Sequence, residues 1–240
     1  MLEAGRKYPL VLVIHGGPTA TSTEGFADLE QLLAAQGWVV FQPNYRGSNH
    51  RGNAFQSAIA GDCAEGPGRD VMAGLEAVVA RGFVDGGRVA VSGWSYGGWM
   101  TAWLIGRYPD VWRAAVAGAA PVDATDMTAL SDLNVMIRHC LTTSPWVGTR
   151  YREYLEQSPI AHFSKLRAPT LVLSKTGDQR VTVTGSYKLF HALRDNGVEV
   201  DFRPDLGKDA DALAAVIGDY DGLAIRSATK VTRELLEKAD

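Results

Sequence analysis

Ser95 is the residue of this sequence whose surroundings best suit nucleophilic chemistry, because it lies in the segment GWSYGG at residues 93–98. Residues 88–92 before it are largely apolar and β-branched, which predicts a buried strand, and apolar residues follow it at helical spacing. A strand, a Gly-x-Ser-x-Gly turn and a helix form a nucleophile elbow, whose glycines permit a turn too tight for neighbouring Cβ atoms. An ordinary turn is the alternative, and the flanking strand and helix favour the elbow.

Other polar segments follow further predicted strands. One apolar strand ends in His15-Gly16-Gly17, another leads to Asn44, and a third leads to Asp178. Strands that alternate with helices predict a doubly wound, mostly parallel sheet, in which functional groups gather beyond the carboxyl ends of the strands. We therefore expect these segments to meet Ser95 at one edge of the sheet.

The glycines of the first of these segments suit an oxyanion hole. Gly16 and Gly17 have no side chains, so their backbone N–H groups can turn towards a ligand and stabilise a developing negative charge. A plain tight turn is the alternative. We expect His15 to be a structural histidine that bonds nearby backbone.

The remaining pattern predicts the elements around this edge. Residues 122–165 interrupt the alternation of strands and helices, and we expect them to form a largely helical excursion over the active site. Residues 85–87 predict a turn before the elbow strand. Two helices have apolar residues on a face that we expect to be buried, namely Phe26, Leu29, Leu32 and Leu33 within residues 24–36, and Tyr187, Phe190 and Leu193 after Asp178.

Composition limits the classes of function. The 240 residues are 46% hydrophobic and 21% charged, which suits one soluble domain, with two as the alternative. The net charge of −3 and the lack of a basic run or a long apolar run give no indication of nucleic acid or membrane binding. Cys63 and Cys140 fit no metal-binding spacing, so we expect no metal, no cofactor and a reduced, cytoplasmic setting.

Several segments together resemble the catalytic domain of the prolyl-oligopeptidase family of serine peptidases, in particular its acylaminoacyl-peptidase and dipeptidyl-peptidase branch. The resemblance covers residue 7 to about residue 197 and includes "KYPLVLVIHGGP", "FQPNYRGS", "GRVAVSGWSYGGWMTAWL" and "APTLVLSKTGDQRV". It implies an α/β-hydrolase fold with Ser95 as nucleophile and Asp178 as the triad acid. It also implies an oxyanion hole formed by the Gly16–Gly17 loop and the backbone N–H of Tyr96.

The chain departs from this family in three ways. We expect neither the family's β-propeller nor the opening strands of its sheet in this sequence, and therefore a sheet truncated at its N-terminal edge. The family's histidine follows the last strand in a Gly-His loop, whereas Lys208 occupies that position here and no histidine follows His191.

Residues 198–240 resemble the amino-terminal segment of D-3-phosphoglycerate dehydrogenase, which implies a strand-helix-strand-helix tail. We therefore predict a truncated hydrolase domain at residues 1–197 and a tail at residues 198–240, joined as a fusion and packed on the same sheet. No Gly-x-Gly-x-x-Gly occurs, so the resemblance implies no NAD binding.

A serine hydroxyl needs a base, because its oxygen is a poor nucleophile while it carries its proton. Lys208 and His139 are the candidate bases, although a solvated lysine and an ordinary polar histidine are the alternatives. His50 or a partner subunit could also supply the base. Exposed apolar edges favour association, and we expect a homodimer.

Three functions are consistent with these residues. The leading prediction is a serine hydrolase that acts on small esters or peptides through Ser95, with low activity. The second is a catalytically impaired relic or binding module that is acylated without turnover. The third is a promiscuous hydrolase that uses another base, such as His139.

Overall fold

The computed structural model describes residues 3–198 except Thr176, together with Asp211, Ala212 and Ala215. The chain divides into two compact units, Met1–Val200 and Asp201–Asp240. In the second unit, Asp211, Ala212 and Ala215 are helical. The rest of the predicted tail after Val198, which includes Lys208, lies outside the described residues.

A five-stranded parallel sheet organises the first unit. The strands have the order β2-β1-β3-β4-β5, and every pairing between neighbours is parallel. Their continuous apolar runs suit strands that are covered on both faces. The predicted parallel α/β sheet is therefore confirmed. The strands are β1 Tyr8–Ile14, β2 Val39–Phe41, β3 Val84–Trp94, β4 Ala114–Gly118 and β5 Thr170–Leu173.

Helices connect the strands and cover the sheet. The segment between β4 and β5 contains three α-helices and a 3₁₀ helix, so the predicted helical excursion is confirmed. No helix among the described residues is long and apolar enough to cross a membrane. The helices are α1 Asp28–Ala35, α2 Asn53–Ser57, α3 Glu65–Val79, α4 Tyr96–Arg107, α5 Ala124–Leu130, α6 Asn134–Cys140, α7 Arg150–Gln157, the 3₁₀ helix Pro159–Lys165 and α8 Thr184–Asp195.

The turn predicted at residues 85–87 is an irregularity within β3. Tyr8 pairs with Val84, but Leu10 pairs with Val89, so β3 contains extra residues between these two pairs. The Gly87 backbone N–H donates to Asp85 Oδ1 at 3.0 Å, which is the local bond expected for an aspartate in a turn. The strand that leads to Ser95 therefore starts earlier than predicted and contains a bulge.

The buried face predicted for the first helix is wrong. No residue of α1 is buried, and the side chains of Phe26 and Leu32 are 81% and 67% exposed. The reason is that α1 lies beside β2, which is the edge strand of the described sheet, so little structure is available to cover it.

The buried face predicted for α8 is partly wrong. Leu193 is buried as expected, but Tyr187 is 49% exposed, and Leu189 takes its place in the core. A Cβ on Gly185 would lie 2.4 Å from the Ala120 carbonyl oxygen, so the helix approaches the sheet through this glycine. The close approach turns Gly185, Leu189 and Leu193, spaced four residues apart, towards the core.

Candidate active site

Ser95 occupies a strained turn between β3 and α4. Its backbone angles are φ 60° and ψ −119°, which L-residues rarely adopt. The Ser95 backbone N–H donates to the Gly118 carbonyl oxygen at 2.9 Å, and its carbonyl accepts from Trp99 N at 2.9 Å. The turn is thus held from β4 on one side and by the first turn of α4 on the other.

The glycines around Ser95 are required by contacts between backbones. A Cβ on Gly93 would lie 2.4 Å from the Gly97 carbonyl carbon, and a Cβ on Gly97 would lie 2.2 Å from the Ile14 carbonyl oxygen. Neither distance leaves room for a methyl group. The Gly-x-Ser-x-Gly pattern therefore allows α4 to start directly against the ends of β3 and β1.

The Ser95 hydroxyl does not serve the usual purpose of a serine at this position. Serine at a helix N-cap commonly accepts a hydrogen bond from the first turn, but the Ser95 side chain does not cap α4. The first N–H groups of a helix have no partners within it, and the N-terminus carries partial positive charge. The Ser95 hydroxyl is therefore not engaged in capping, although Ser95 precedes the positively polarised end of α4.

The loop after β1 lies directly against the elbow. A Cβ on Gly16 would lie 3.1 Å from the Trp94 carbonyl oxygen and 3.6 Å from Ser95 Cβ. Gly17 has a φ of 119°, and together with Ser95 it lines a pocket. The structure thus brings the two predicted oxyanion glycines to Ser95.

Both ring nitrogens of His15 are engaged by neighbouring polar groups. Nδ1 lies 2.9 Å from the Gly16 carbonyl oxygen, and Nε2 lies 2.9 Å from Ser48 Oγ. Its ring stacks on Tyr45 with 4.4 Å between centroids, and the Tyr45 hydroxyl donates to the His15 carbonyl oxygen. Burial lowers the pKa of His15, although the Gly16 carbonyl partly opposes the shift. These contacts suit the structural role expected for His15.

Asp178 lies beyond the carboxyl end of β5, in a loop that reaches the pocket. Its Oδ1 accepts hydrogen bonds from the backbone N–H groups of Arg180 and Val181, both at 2.9 Å. Ser131 Oγ donates to the Arg180 carbonyl oxygen at 2.6 Å, and Arg180 Nη2 lies 2.9 Å from Asp132 Oδ2. These bonds attach the loop to the excursion, and Val181 lines the pocket with Ser95.

The pocket beside Ser95 is apolar and is covered by the excursion. Gly17, Ser95 and Val181 come from three different strand ends, and they line the pocket together with the excursion. The excursion contributes most of the apolar wall, which comprises Met127, Leu133, Met136, Ile137 and Leu141. A carbonyl compound at Ser95 could therefore place an apolar group in this space.

An ion-pair cluster holds the first helix of the excursion in place. Asp123 caps α5 by accepting from Thr125 N at 2.9 Å, and Lys188 of α8 donates to Asp123 Oδ2 at 2.7 Å. Burial raises the pKa of Asp123, but the hydrogen bonds from Lys188 and Thr125 outweigh it, so the pKa lies below its ordinary value. Asp126 also pairs with Lys188, at 2.8 Å.

The sequence alone does not predict the pocket wall, although it contains a helical spacing of apolar residues in this segment. Leu133, Met136, Ile137, Cys140 and Leu141 recur at spacings of three and four residues, which is the pattern of one face of a helix. That pattern predicts an amphipathic helix but does not say which space its apolar face encloses. Only the return of the excursion over α4 makes this face a pocket wall.

The candidate bases differ in what the structure says about them. His139 lies in α6, but its side chain is outside the described part of the chain, as is Lys208. His50 is exposed and has a φ of 63°. Asn44 is another polar residue at a strand end. Its side-chain Oδ1 accepts from the Ser22 backbone N–H and its Nδ2 donates to the Ser22 carbonyl oxygen, which holds the β1–α1 loop.

Arg46 and Asp70 form an ion pair that is not predicted from the sequence. Arg46 Nη2 and Nε donate to the two Asp70 carboxylate oxygens at 2.7 Å, and the Arg46 backbone N–H donates at 3.0 Å. The pair joins the loop after β2 to α3, next to Tyr45. Burial raises the pKa of Asp70, but the hydrogen bonds from Arg46 outweigh it, so the pKa lies below its ordinary value.

We expect Asp70→Asn to lower the free energy of unfolding by about 1–2 kcal/mol at about pH 7, because charge-assisted hydrogen bonds to Arg46 are lost. A carboxyl group whose pKa falls on folding stabilises the fold above its ordinary pKa of about 4. This contribution disappears as the pH falls through the lowered pKa. Urea unfolding at decreasing pH should therefore show the two proteins converging in stability.

The control for this experiment is Asp195→Asn, which removes an exposed carboxylate 3.4 Å from Arg194 and should have little effect. A difference between wild type and Asp70→Asn that persists unchanged into acid would show that the Asp70 charge is not the source of the stabilisation.

Comparison with known proteins places this arrangement in a family. The sequence profile of the prolyl oligopeptidase family matches residues 25–209. An acylamino-acid-releasing enzyme from Arabidopsis thaliana is 30% identical over 207 residues, which cover 82% of this chain and 27% of that enzyme.

Two solved structures show the same fold. An acylaminoacyl peptidase in complex with Z-Gly-Gly-Phe-chloromethyl ketone has a TM-score of 0.77 at 26% identity, covering 83% of this chain and 32% of that one. A puromycin-hydrolyzing peptidase from Mycobacterium tuberculosis has a TM-score of 0.73 at 28% identity, covering 81% of this chain and 30% of that one. These neighbours confirm the predicted α/β-hydrolase fold.

The chain spans less than a third of the length of each of these three relatives. The residues that the family profile matches include the elbow and the segment around Asp178. With a family profile that matches most of its length, this chain belongs to the prolyl oligopeptidase family, a family of serine peptidases.

Proposed function

We propose that this chain is a serine hydrolase in which Ser95 attacks the carbonyl carbon of an ester or peptide bond. The observation that carries the proposal is the strained elbow, whose serine does not cap its helix and lines an apolar pocket. A backbone conformation of this kind costs about 1–3 kcal/mol, and such residues cluster at functional sites.

The groups around Ser95 suit acyl transfer. When Ser95 Oγ bonds to the carbonyl carbon, the carbonyl oxygen becomes an oxyanion. In this proposal the Gly16–Gly17 loop and the Tyr96 backbone N–H donate hydrogen bonds to that oxyanion, which lowers the energy of the transition state. The partial positive charge at the start of α4 acts in the same direction. Water then attacks the acyl-enzyme and releases the acid.

The proton of Ser95 requires a base, and we propose Lys208 or His139 for this role, with Asp178 as the acid that orients it. His139 lies in α6 next to Cys140, which lines the pocket. Loss of a triad histidine can cost about 10⁶ in turnover, whereas substrate positioning and an oxyanion hole can leave about 10³–10⁴ over water. We therefore expect slow turnover.

The substrate is expected to carry an apolar group next to the scissile carbonyl. The pocket wall is formed mainly by leucine, isoleucine and methionine side chains from the excursion, and Trp99 adds an aromatic surface. One structural relative was solved in complex with a chloromethyl ketone whose last residue is Phe, and another is a puromycin-hydrolyzing peptidase. Small aromatic or branched esters and amides are therefore the substrates to test first.

A second candidate function is an acyl acceptor that does not turn over. It is favoured by the four histidines whose side chains the structure describes, since none of them is among the residues that line the pocket and both ring nitrogens of His15 are engaged. Deacylation needs a base to activate water, so a chain without one would stop at the acyl-enzyme.

The two functions are separated by one experiment. The protein is mixed with a p-nitrophenyl ester, and nitrophenol release is followed through burst and steady state, while intact mass reports the acyl-enzyme. Sustained release after the burst supports the hydrolase, and a single burst with a stable acyl adduct supports the acceptor. An absence of both burst and fluorophosphonate labelling would contradict both functions. If turnover is sustained, Lys208→Ala and His139→Ala identify the base, because the variant that lacks it should slow both the burst and the steady state.

A further inference from the structure

Cys63 and Cys140 come from distant parts of the sequence and meet at the pocket beside Ser95. Cys63 lies in the segment before α3, and Cys140 is the last residue of α6. Both side chains are buried, at 3% and 4% exposure, and both line the pocket. The pocket is open to solvent at its mouth, and this opening is the route by which a small reagent would approach the two side chains.

Hydrogen bonds hold the two backbone segments against each other. The Gly61 backbone N–H donates to the Cys140 carbonyl oxygen at 2.6 Å. Gln157 of α7 accepts from Cys63 N and donates to the Gly61 carbonyl oxygen, both at 2.9 Å. The segment that carries Cys63 is thus fixed between the ends of α6 and α7.

The two thiols are close enough for each to shift the pKa of the other. A hydrogen bond between them lowers the pKa of Cys140, and the same bond together with burial raises the pKa of Cys63. The thiolate is the reactive form of cysteine, so the lowered pKa favours Cys140 as the group that ionises and attacks. Cys63 remains a thiol close to it, which is the arrangement of an attacking cysteine with a resolving partner.

We propose that Cys63 and Cys140 are a redox-responsive pair that a peroxide converts to an intramolecular disulfide in the wall of the pocket. The Cys140 thiolate attacks one peroxide oxygen, the O–O bond breaks, and the products are a Cys140 sulfenic acid and water after protonation of the leaving oxygen. The Cys63 sulfur then attacks the sulfenic sulfur, the S–O bond breaks, and the hydroxyl leaves as water with the Cys63 proton. Overall, two thiols lose two electrons and two protons, and hydrogen peroxide is reduced to two waters.

The disulfide would change the pocket itself. Bonded sulfurs lie about 2.05 Å apart, much closer than two thiols in contact, so the bond would draw the end of α6 towards the segment before α3. It would also tie the excursion to the body of the domain through a covalent bond. We expect the oxidised protein to unfold at a higher temperature by several degrees and to resist proteolysis within the excursion.

The experiment treats the full chain with hydrogen peroxide and analyses it by intact mass and by non-reducing peptide mapping. The expected result is a loss of two hydrogen masses, a cross-linked pair of peptides containing Cys63 and Cys140, and reversal by dithiothreitol. Cys63→Ser and Cys140→Ser are matched variants that cannot form the bond, and their unfolding temperatures should not rise with peroxide. Ser95→Ala should form the disulfide as fast as wild type, which separates this test from the proposed hydrolase.

The proposal is overturned if both thiols of the peroxide-treated protein still react with iodoacetamide after unfolding. It is also overturned if the protein gains oxygen without a cross-link, or if the only disulfides formed join two molecules.

Discussion

Replacing Ser95 with alanine is expected to abolish both fluorophosphonate labelling and the ester burst, while leaving the free energy of unfolding within about 0.5 kcal/mol of wild type. The loss is complete because the acyl-enzyme forms on Oγ, which the variant lacks. Stability is retained because the Ser95 side chain does not cap α4, and because alanine bears the same backbone strain as serine at φ 60°. Intact mass after labelling and urea unfolding measure the two effects separately.

Two further variants sharpen this test. Ser92→Ala changes a serine of β3 that lies three residues before Ser95, and this variant should keep full labelling. Ser95→Gly removes the nucleophile and also relieves strain of about 1–3 kcal/mol, against an entropy cost for glycine of about 0.5–1 kcal/mol. It should therefore be at least as stable as Ser95→Ala. Labelling that survives in Ser95→Ala would mean that another residue is the nucleophile.

Gly97→Ala is expected to lower the free energy of unfolding by about 3 kcal/mol or more, or to prevent soluble expression. Helix propensity alone predicts the opposite, since alanine in a helix is favoured over glycine by about 1 kcal/mol. The steric clash outweighs this preference, because the new Cβ would lie 2.2 Å from the Ile14 carbonyl oxygen. Ile14 belongs to β1, an interior strand of the sheet that cannot easily move. Either α4 moves away from β1 or the end of β1 shifts, and both changes disturb the elbow.

Gly177→Ala is the matched control for this prediction, because among the described residues, its chain neighbours aside, no atom lies within 4 Å of the position that its Cβ would occupy. Its stability should remain close to that of wild type in urea unfolding. A Gly97→Ala protein that is as stable as wild type, or more stable, would show that α4 does not pack against β1 as closely as described.

The predictions that rested on local pattern agree with the structure. Continuous apolar runs define buried strands in any context, so the parallel strands were recognised from single stretches of sequence. The elbow combines a strand, a tight turn and a helix within about fifteen residues, and its glycines meet steric limits set by immediate neighbours.

The predictions that depended on neighbours far along the chain were less successful. The apolar residues of α1 form a regular face, but a face is buried only where another element covers it, and α1 lies beside the edge strand β2. In α8 the pattern suggested Tyr187 and Phe190, whereas the approach of Gly185 to Ala120 rotates Leu189 into the core. Neither contact is visible in the local sequence.

By itself, the sequence determined the type of sheet, the position of the nucleophile elbow and the glycine loop that meets it, because these depend on backbone geometry over short stretches. Tertiary structure alone decided what surrounds Ser95. The return of the excursion over α4 makes an apolar pocket from a helix face. It also brings Cys140 to the same pocket as Cys63, although the two residues are far apart in the sequence. The physical reason is that burial and side-chain contact depend on which elements pack together, and that choice is made by the whole fold.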